Sequence, residues 1–191
     1  MKHIVLSDIH ESFHNLHLAL SYAKQNNITS GFVLGDLINP GIMHKCGKSG
    51  LKLSVVLGNN DGDIFELSKA AQKYSNITLF KDFGVAIVDG IQIFMIHDNR
   101  LGALVAKSNE YPLVMCGHNH ICSKEILGKA ILLNPGELSG HMYGESTFVI
   151  WDSMSNTCQK ITIKSNWVDV KRYEHDQNFH FSLEMFLNQA L

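Results

Sequence analysis

The segment Ile4-Val5-Leu6-Ser7-Asp8-Ile9-His10 contains a pattern that recurs along the chain. Ile4 to Leu6 is a short apolar run, mostly β-branched, that stops at polar residues, which is typical of a buried strand. Asp8 and His10 come directly after this run. Residues two apart on an extended segment point the same way, so these two side chains can act as a pair.

Helices and further strands follow this first strand in alternation. Apolar residues at three- and four-residue spacing predict a helix from Phe13 to about Asn26. Phe32–Leu34 and Val55–Leu57 are the next strands, and a helix follows from Phe65 to Tyr74. The stretch 39–50 between the second and third strands predicts a flexible loop. This β-α-β-α-β order favours a mostly parallel sheet covered by helices.

The middle of the chain changes character at Asp89-Gly90, a strong hairpin signal between two apolar runs. Later segments predict further strands, namely Leu113–Cys116, Ile131–Leu133, Thr147–Trp151, Thr157–Ile163 and Trp167–Val170, and a short helix at Phe181–Leu187. Two packed sheets with helices outside fit this order, in an α/β fold. We therefore expect one domain over residues 1–191, with its motifs within 4–151 and its C-terminal strands and helix within 157–191.

Composition excludes several classes of protein. The 191 residues carry 16 Lys and Arg against 18 Asp and Glu, so no overall basic field supports an extended nucleic-acid surface. An apolar content of 45% excludes a disordered chain, and no apolar run approaches the about 18 residues of a membrane span.

The four cysteines form no C-x-x-C pair, and the first residues lack the apolar core of a signal peptide. We expect a cytoplasmic protein. A homo-oligomer is compatible with the sequence.

Most of the predicted strands end in a residue type that binds metal ions. In an open α/β sheet, residues just beyond the carboxyl ends of strands meet in one crevice. Oxygen and imidazole donors without thiolate suit Mn²⁺, Fe²⁺, Zn²⁺, Ni²⁺ or Co²⁺, and seven donors are too many for one ion. They suit two ions that share a carboxylate. The candidate metal ligands are Asp8, His10, Asp36, Asn59, His97, His118 and His120.

This ordered series resembles the calcineurin-like metallophosphoesterase superfamily, and Asn134-Pro135-Gly136 resembles its small YfcE-type phosphodiesterase branch. The resemblance implies a four-layer α/β/β/α sandwich and two divalent ions, with Mn²⁺ favoured. It also implies that a hydroxide bridging the two ions attacks a phosphodiester, or a phosphomonoester, directly. One ion would be held by Asp8, His10 and His120, the other by Asn59, His97 and His118, with Asp36 bridging them.

Two neighbouring residues are candidate catalytic groups. Many members of the superfamily have histidine where this chain has Asn60, and the YfcE-like branch often has cysteine. An amide can donate a hydrogen bond to substrate but cannot give up a proton at neutral pH. We therefore expect substrates with good leaving groups. Asp61 is expected to orient a ligand histidine.

The segment from Glu137 to His141 departs from the family pattern, because relatives often place a serine there, followed by basic residues. Less positive charge near the substrate weakens recognition of a phosphate dianion and favours diesters over monoesters. His141 is a candidate substrate-binding residue, although an exposed loop histidine without a role fits its position as well.

Two classes of function fit these motifs. One is a metal-dependent hydrolase of a small phosphoester. The other is a catalytically weak or inactive protein-interaction scaffold on the same fold, as in the related retromer subunit. Such scaffolds usually lose ligand histidines, whereas all four histidines of the series are present. The sequence therefore favours the enzyme.

Overall fold

The computed structural model describes residues 1–163, which form eleven strands and four helices. The strands are β1 (Lys2–Leu6), β2 (Ser30–Leu34), β3 (Lys52–Val56), β4 (Ile77–Leu79), β5 (Phe83–Val88), β6 (Ile91–Ile96), β7 (Leu113–Met115), β8 (Cys122–Leu127), β9 (Ala130–Pro135), β10 (Thr147–Asp152) and β11 (Thr157–Thr162). The helices are α1 (Phe13–Gln25), α2 (Pro40–Lys48), α3 (Ile64–Gln72) and α4 (Asn99–Ser108).

The strands form two mixed sheets. The six-stranded sheet has the order β11-β10-β1-β2-β3-β4, in which β1 to β4 are parallel, β10 is antiparallel to β1, and β11 is antiparallel to β10 at the edge. The five-stranded sheet has the order β5-β6-β7-β9-β8, with β6, β7 and β9 parallel. The parallel strands of each sheet carry their carboxyl ends to one edge, and this places the loops that follow them together.

Three apolar clusters hold four layers together. The middle cluster packs side chains such as Phe32 and Trp151 of the first sheet against Met95 and Met115 of the second. A larger cluster lies under α1, α2 and α3, and a smaller one lies under α4. The layers are therefore helices, sheet, sheet and helix, and the predicted α/β/β/α sandwich is confirmed.

The stretch 39–50 is not the flexible loop that the sequence predicted, because most of it is helix α2. The side chain of Asn39 caps this helix by accepting hydrogen bonds from the N–H groups of Gly41 and Ile42, and Pro40 occupies the first turn. Ile42, Met43 and Cys46 are buried against the first sheet. The cap and the proline were visible in the sequence as helix-start signals.

The other predicted elements are found where residues are described. The Asp89-Gly90 hairpin joins β5 to β6, and both turn residues have the positive φ angles that such a turn requires. The predicted strand at Trp167–Val170 and the predicted helix at Phe181–Leu187 lie outside the described residues. Within residues 1–163, no helix combines the length and apolar character needed to cross a membrane.

Candidate metal centre

The loops that follow β1, β2, β3, β6 and β7 meet at one edge of the sandwich. Backbone hydrogen bonds join them: Asp8 N–H donates to the Gly35 carbonyl at 3.1 Å, and Gly117 N–H donates to the His97 carbonyl at 2.9 Å. The N–H of His118 donates to Oδ2 of Asp8 at 3.0 Å. The side chains that the sequence singled out are therefore held by contacts between distant segments.

Two glycines allow the loops to approach this closely. A Cβ at Gly58 would lie 2.1 Å from Oδ1 of Asp36, and a Cβ at Gly35 would lie 2.6 Å from Nδ1 of His97. Gly35 also has a φ of +97°, which L side chains rarely adopt. The two Gly-containing motifs are thus required by the packing of the candidate ligands themselves.

Backbone strain is concentrated at the candidate ligands. Non-glycine residues with positive φ are uncommon, and each costs of the order of 1–3 kcal/mol, so they persist where the surrounding structure imposes them. Strain of this kind clusters at functional sites. Candidate ligands with positive φ are Asp8 (52°), His10 (42°), Asp36 (56°), His118 (74°) and His120 (64°).

Donor atoms lie close enough to share an ion in two groups, one of Asp8, His10 and His120 and the other of Asp8, Asp36 and His97. Oδ1 of Asp8 lies 3.3 Å from Nε2 of His120 and 3.9 Å from Nε2 of His10. Two donors that are each about 2.1 Å from one ion lie roughly 3.0–3.4 Å apart. The observed separations match or slightly exceed that range.

Asp8 belongs to both groups, and Asp36, a member of the second group, also contacts a histidine of the first. Its Oδ2 atom is 3.5 Å from Nε2 of His10 and 3.4 Å from Nε2 of His97. Oδ1 of Asn59 lies 3.1 Å from the same nitrogen of His97, and the ring of His118 packs edge-on against the His97 ring at 5.2 Å. The seven sequence-predicted ligands therefore lie near one another at this edge of the sandwich, although His118 contacts the His97 ring and belongs to neither group of donor atoms.

Two of the histidines have a fixed tautomer. Nδ1 of His97 lies 2.7 Å from the carbonyl oxygen of Leu34, and Nδ1 of His120 lies 3.0 Å from Oε2 of Glu137. Both partners can only accept, so Nδ1 carries the proton in each ring. Nε2 is therefore the ring nitrogen that faces the carboxylates and would bind a metal.

The two carboxylates are buried with imidazoles as their ion-pair partners. Within residues 1–163 neither Asp8 nor Asp36, which are 0% and 1% exposed, pairs with a lysine or arginine. Burial opposes ionisation of Asp36, but hydrogen bonds and charge from His97, with the bonds from Asn60, hold its pKa far below the usual range. Burial raises the pKa of Asp8, which its hydrogen bonds and the nearby histidines only partly offset.

Within residues 1–163, two buried polar atoms in the site have no hydrogen-bond partner, and this bears on whether the residues fit a metal. Oδ1 of Asp8 and Nε2 of His10 are buried and have no hydrogen-bond partner among the described residues. Leaving such atoms unpaired costs about 1–3 kcal/mol each. A divalent cation would satisfy both atoms and offset two buried negative charges, so the residues fit a metal.

Asn60 and Asp61 form hydrogen bonds with different groups of the site. The side-chain N–H of Asn60 donates to Oδ2 of Asp36 at 2.8 Å. Asp61 is buried, and its carboxylate accepts backbone N–H groups from Asp36, Gly58 and Ile38 at 3.0, 2.7 and 2.7 Å. These bonds tie the loop after β2 to the loop after β3. The histidine rings are oriented instead by the Leu34 carbonyl and by Glu137.

Glu137 is the residue whose role the sequence did not predict. Its side chain is fully buried rather than displayed beside the substrate. Burial opposes its ionisation, yet hydrogen bonds from Tyr143 N–H, the Ser139 hydroxyl, Met142 N–H and His120 outweigh burial and lower its pKa to about 2. Residues 138–144 contain no lysine or arginine, so this loop adds no fixed positive charge to the rim. His141 is exposed at the rim, with its ring 6.4 Å from that of His10.

Comparison with known proteins agrees with this geometry. The family model of the calcineurin-like phosphoesterase superfamily domain matches residues 1–156. The chain belongs to the calcineurin-like phosphoesterase superfamily. This membership places it among hydrolases that act on phosphate esters, and the resemblance of the motif series is confirmed.

Relatives in this superfamily include the phosphodiesterase MJ0936 of Methanocaldococcus jannaschii, 24% identical over 166 residues that cover 86% of this chain and 100% of the relative. A structure described as a novel archaeal phosphodiesterase has a TM-score of 0.80 at 23% identity and covers 85% of this chain and 100% of its own. YfcE, a phosphoesterase from E. coli, has a TM-score of 0.62 at 18% identity, with coverages of 86% and 100%. These structural likenesses show the shared fold.

Proposed function

We propose that this chain is a divalent-metal-dependent phosphodiesterase with a dinuclear centre, for which Mn²⁺ is the favoured metal. The observation that carries the proposal is the convergence of imidazole Nε2 atoms on two buried carboxylates. Asp8, His10 and His120 would hold one ion. Asn59, His97 and His118 would hold the other, and Asp36 would bridge them. Ni²⁺, Fe²⁺, Zn²⁺ and Co²⁺ suit the same donors.

When bound, two ions supply Lewis acidity toward the phosphoryl oxygens and a water that is activated near neutral pH. The chain's own residues hold the cations and orient the ligands. Asp8 and Asp36 supply negative charge that holds the cations, and the hydrogen bonds to Leu34 and Glu137 keep two imidazoles oriented. The Asn60 amide offers a hydrogen-bond donor next to Asp36 but no proton for the leaving group. The proposed substrates are therefore small diesters with good leaving groups.

Hydrolysis of bis-p-nitrophenyl phosphate tests the proposed activity. We expect turnover with added Mn²⁺ or Ni²⁺, loss of turnover with excess chelator, and recovery when metal is restored. His118→Ala should lower the rate about 100-fold or more, because it removes a ligand from one ion. His17→Ala on the exposed side of α1 is the matched control and should behave like the parent. If no metal-dependent turnover is seen and His118→Ala equals the parent, the result would favour the protein-interaction scaffold over the enzyme.

Asn60→His is expected to raise turnover about tenfold or more on esters with poorly activated leaving groups and to change little on p-nitrophenyl esters. The imidazole can give a proton to the leaving oxygen, whereas the amide cannot. Asn60→Ala is the control, because it removes the bond to Asp36 without adding a proton donor. The measurement is the hydrolysis rate of the parent and of both variants on a series of esters whose leaving groups differ in pKa. If Asn60→His gains nothing on the poor leaving groups, Asn60 does not limit the reaction.

A further inference from the structure

Glu137 lies at the end of the second sheet, two residues beyond β9 and inside the candidate metal centre. Its side chain is 0% exposed. Gly136, directly before it, has a φ of +78°, and a Cβ there would lie 2.2 Å from Oγ1 of Thr147. The turn that directs Glu137 inward is therefore built around a glycine, and the buried carboxylate is a fixed feature of this turn.

One carboxylate joins two parts of the site. Oε2 of Glu137 accepts from Nδ1 of His120 at 3.0 Å, from the Ser139 hydroxyl at 2.7 Å and from His141 N–H at 2.9 Å. Oε1 accepts from the N–H groups of Met142 and Tyr143 at 3.0 and 2.8 Å. A candidate ligand and the rim loop thus share one carboxylate.

We propose that Glu137 is a positioning residue that sets the tautomer and direction of His120 and holds the loop of residues 139–143 beside the centre. This inference rests on the proposed metal centre, since it gives His120 a ligand's role. Charge-assisted bonds of this kind raise the basicity of a ligand imidazole, and losing one typically lowers metal affinity about 10–100-fold. The same bond directs Nε2 of His120 toward Oδ1 of Asp8, 3.3 Å away.

The chain offers a conservative variant and a matched control. Glu137→Gln keeps the size of the side chain, but it is neutral and has one acceptor oxygen in place of two. The amide NH₂ must therefore face an N–H or O–H donor in either orientation, and the charge-assisted bond to His120 is lost in both. Glu145→Gln is the control, because Glu145 is an exposed carboxylate outside the centre that pairs with Lys160 at 2.6 Å.

Two measurements on the full chain test the proposal. In the first, ¹⁵N NMR of the metal-free protein should show His120 protonated at Nδ1 in the parent and in Glu145→Gln, and a mixture of tautomers in Glu137→Gln. In the second, calorimetric titration with Mn²⁺ should show one site weakened about tenfold or more in Glu137→Gln and unchanged within about twofold in Glu145→Gln. Hydrogen exchange at the amides of residues 141–143 should be at least about tenfold faster in Glu137→Gln.

The outcomes separate the two proposals. Equal Mn²⁺ affinity and an unchanged His120 tautomer in a folded Glu137→Gln would overturn the positioning role while leaving the metal centre intact. A parent that binds no Mn²⁺ would overturn the proposed function, whereas a tautomer that still responds to Glu137→Gln would support the positioning of His120. If Glu137→Gln does not fold, Glu137→Asp takes its place. Aspartate keeps the charge but is shorter than glutamate by one methylene group. Glu137→Asp should therefore bind Mn²⁺ more weakly than the parent, and Glu145→Gln remains the control.

Discussion

Asp36→Asn is expected to lower metal-dependent hydrolysis of a phosphodiester by about 10³-fold or more while the protein stays folded. Oδ2 of Asp36 lies 3.5 Å from Nε2 of His10 and 3.4 Å from Nε2 of His97, so in the proposed centre it would contact both ions. A neutral amide cannot share its charge between two cations. In the parent the backbone N–H and the side-chain N–H of Asn60 donate to different oxygens of Asp36, and asparagine keeps one acceptor oxygen for one of these two bonds.

The measurement is the rate with saturating Mn²⁺, together with circular dichroism to establish that the variant is folded. Asp82→Asn is the matched control, because Asp82 is an exposed aspartate whose one ion pair among residues 1–163 is with Lys81 at 4.0 Å. It should keep the parental rate within about twofold, as surface substitutions usually do. An Asp36→Asn variant that retains more than a tenth of the parental rate would rule out a bridging role for this carboxylate.

Asp61→Ala is expected to lower the free energy of unfolding by about 3–5 kcal/mol. The carboxylate is 4% exposed and accepts backbone N–H groups from three residues, which are Asp36, Gly58 and Ile38. Alanine leaves these donors with no partner in a site that water reaches poorly. The two loops that Asp61 joins both carry candidate ligands, so activity should fall as well.

Urea denaturation in the presence of a chelator measures this effect, because bound metal would otherwise add to the stability of the folded state. Asp63→Ala is a control from the same segment. Asp63 caps α3 by accepting from Glu66 N–H at 3.0 Å, and its loss should cost about 1 kcal/mol. If Asp61→Ala costs no more than Asp63→Ala, then Asp61 does not hold the two loops together.

The sequence predicted the sandwich and the ligand cluster because both depend on local patterns. Each parallel strand is a short apolar run that ends in a polar ligand type, and such ends must converge in a sheet of this kind. The glycines in Gly35-Asp36 and Gly58-Asn59-Asn60-Asp61 mark the close approach that the structure displays. Local pattern and long-range geometry therefore agree at the centre itself.

Other features depend on contacts that no local pattern predicts. Helix α2 was missed because Asn39-Pro40 also marks turns, and so short a helix needs its packing against the first sheet in addition to its cap. Glu137 bonds to His120, 17 residues away at the same end of the β8–β9 pair, so its inward direction could not be predicted from neighbouring residues. Asp61 was expected to orient a ligand histidine, but its hydrogen bonds go to backbone amides of three residues distant in sequence or in the same loop.

The central claim is that these loops form one dinuclear metal centre, and anomalous X-ray diffraction from crystals grown with Mn²⁺ tests it most directly. We predict two anomalous peaks about 3.5–4 Å apart. One should lie within coordination distance of Asp8, His10 and His120, and the other near His97 and His118, with Asp36 between them. A single peak would contradict the dinuclear centre, and no peak at saturating Mn²⁺ would contradict the metal-dependent enzyme itself.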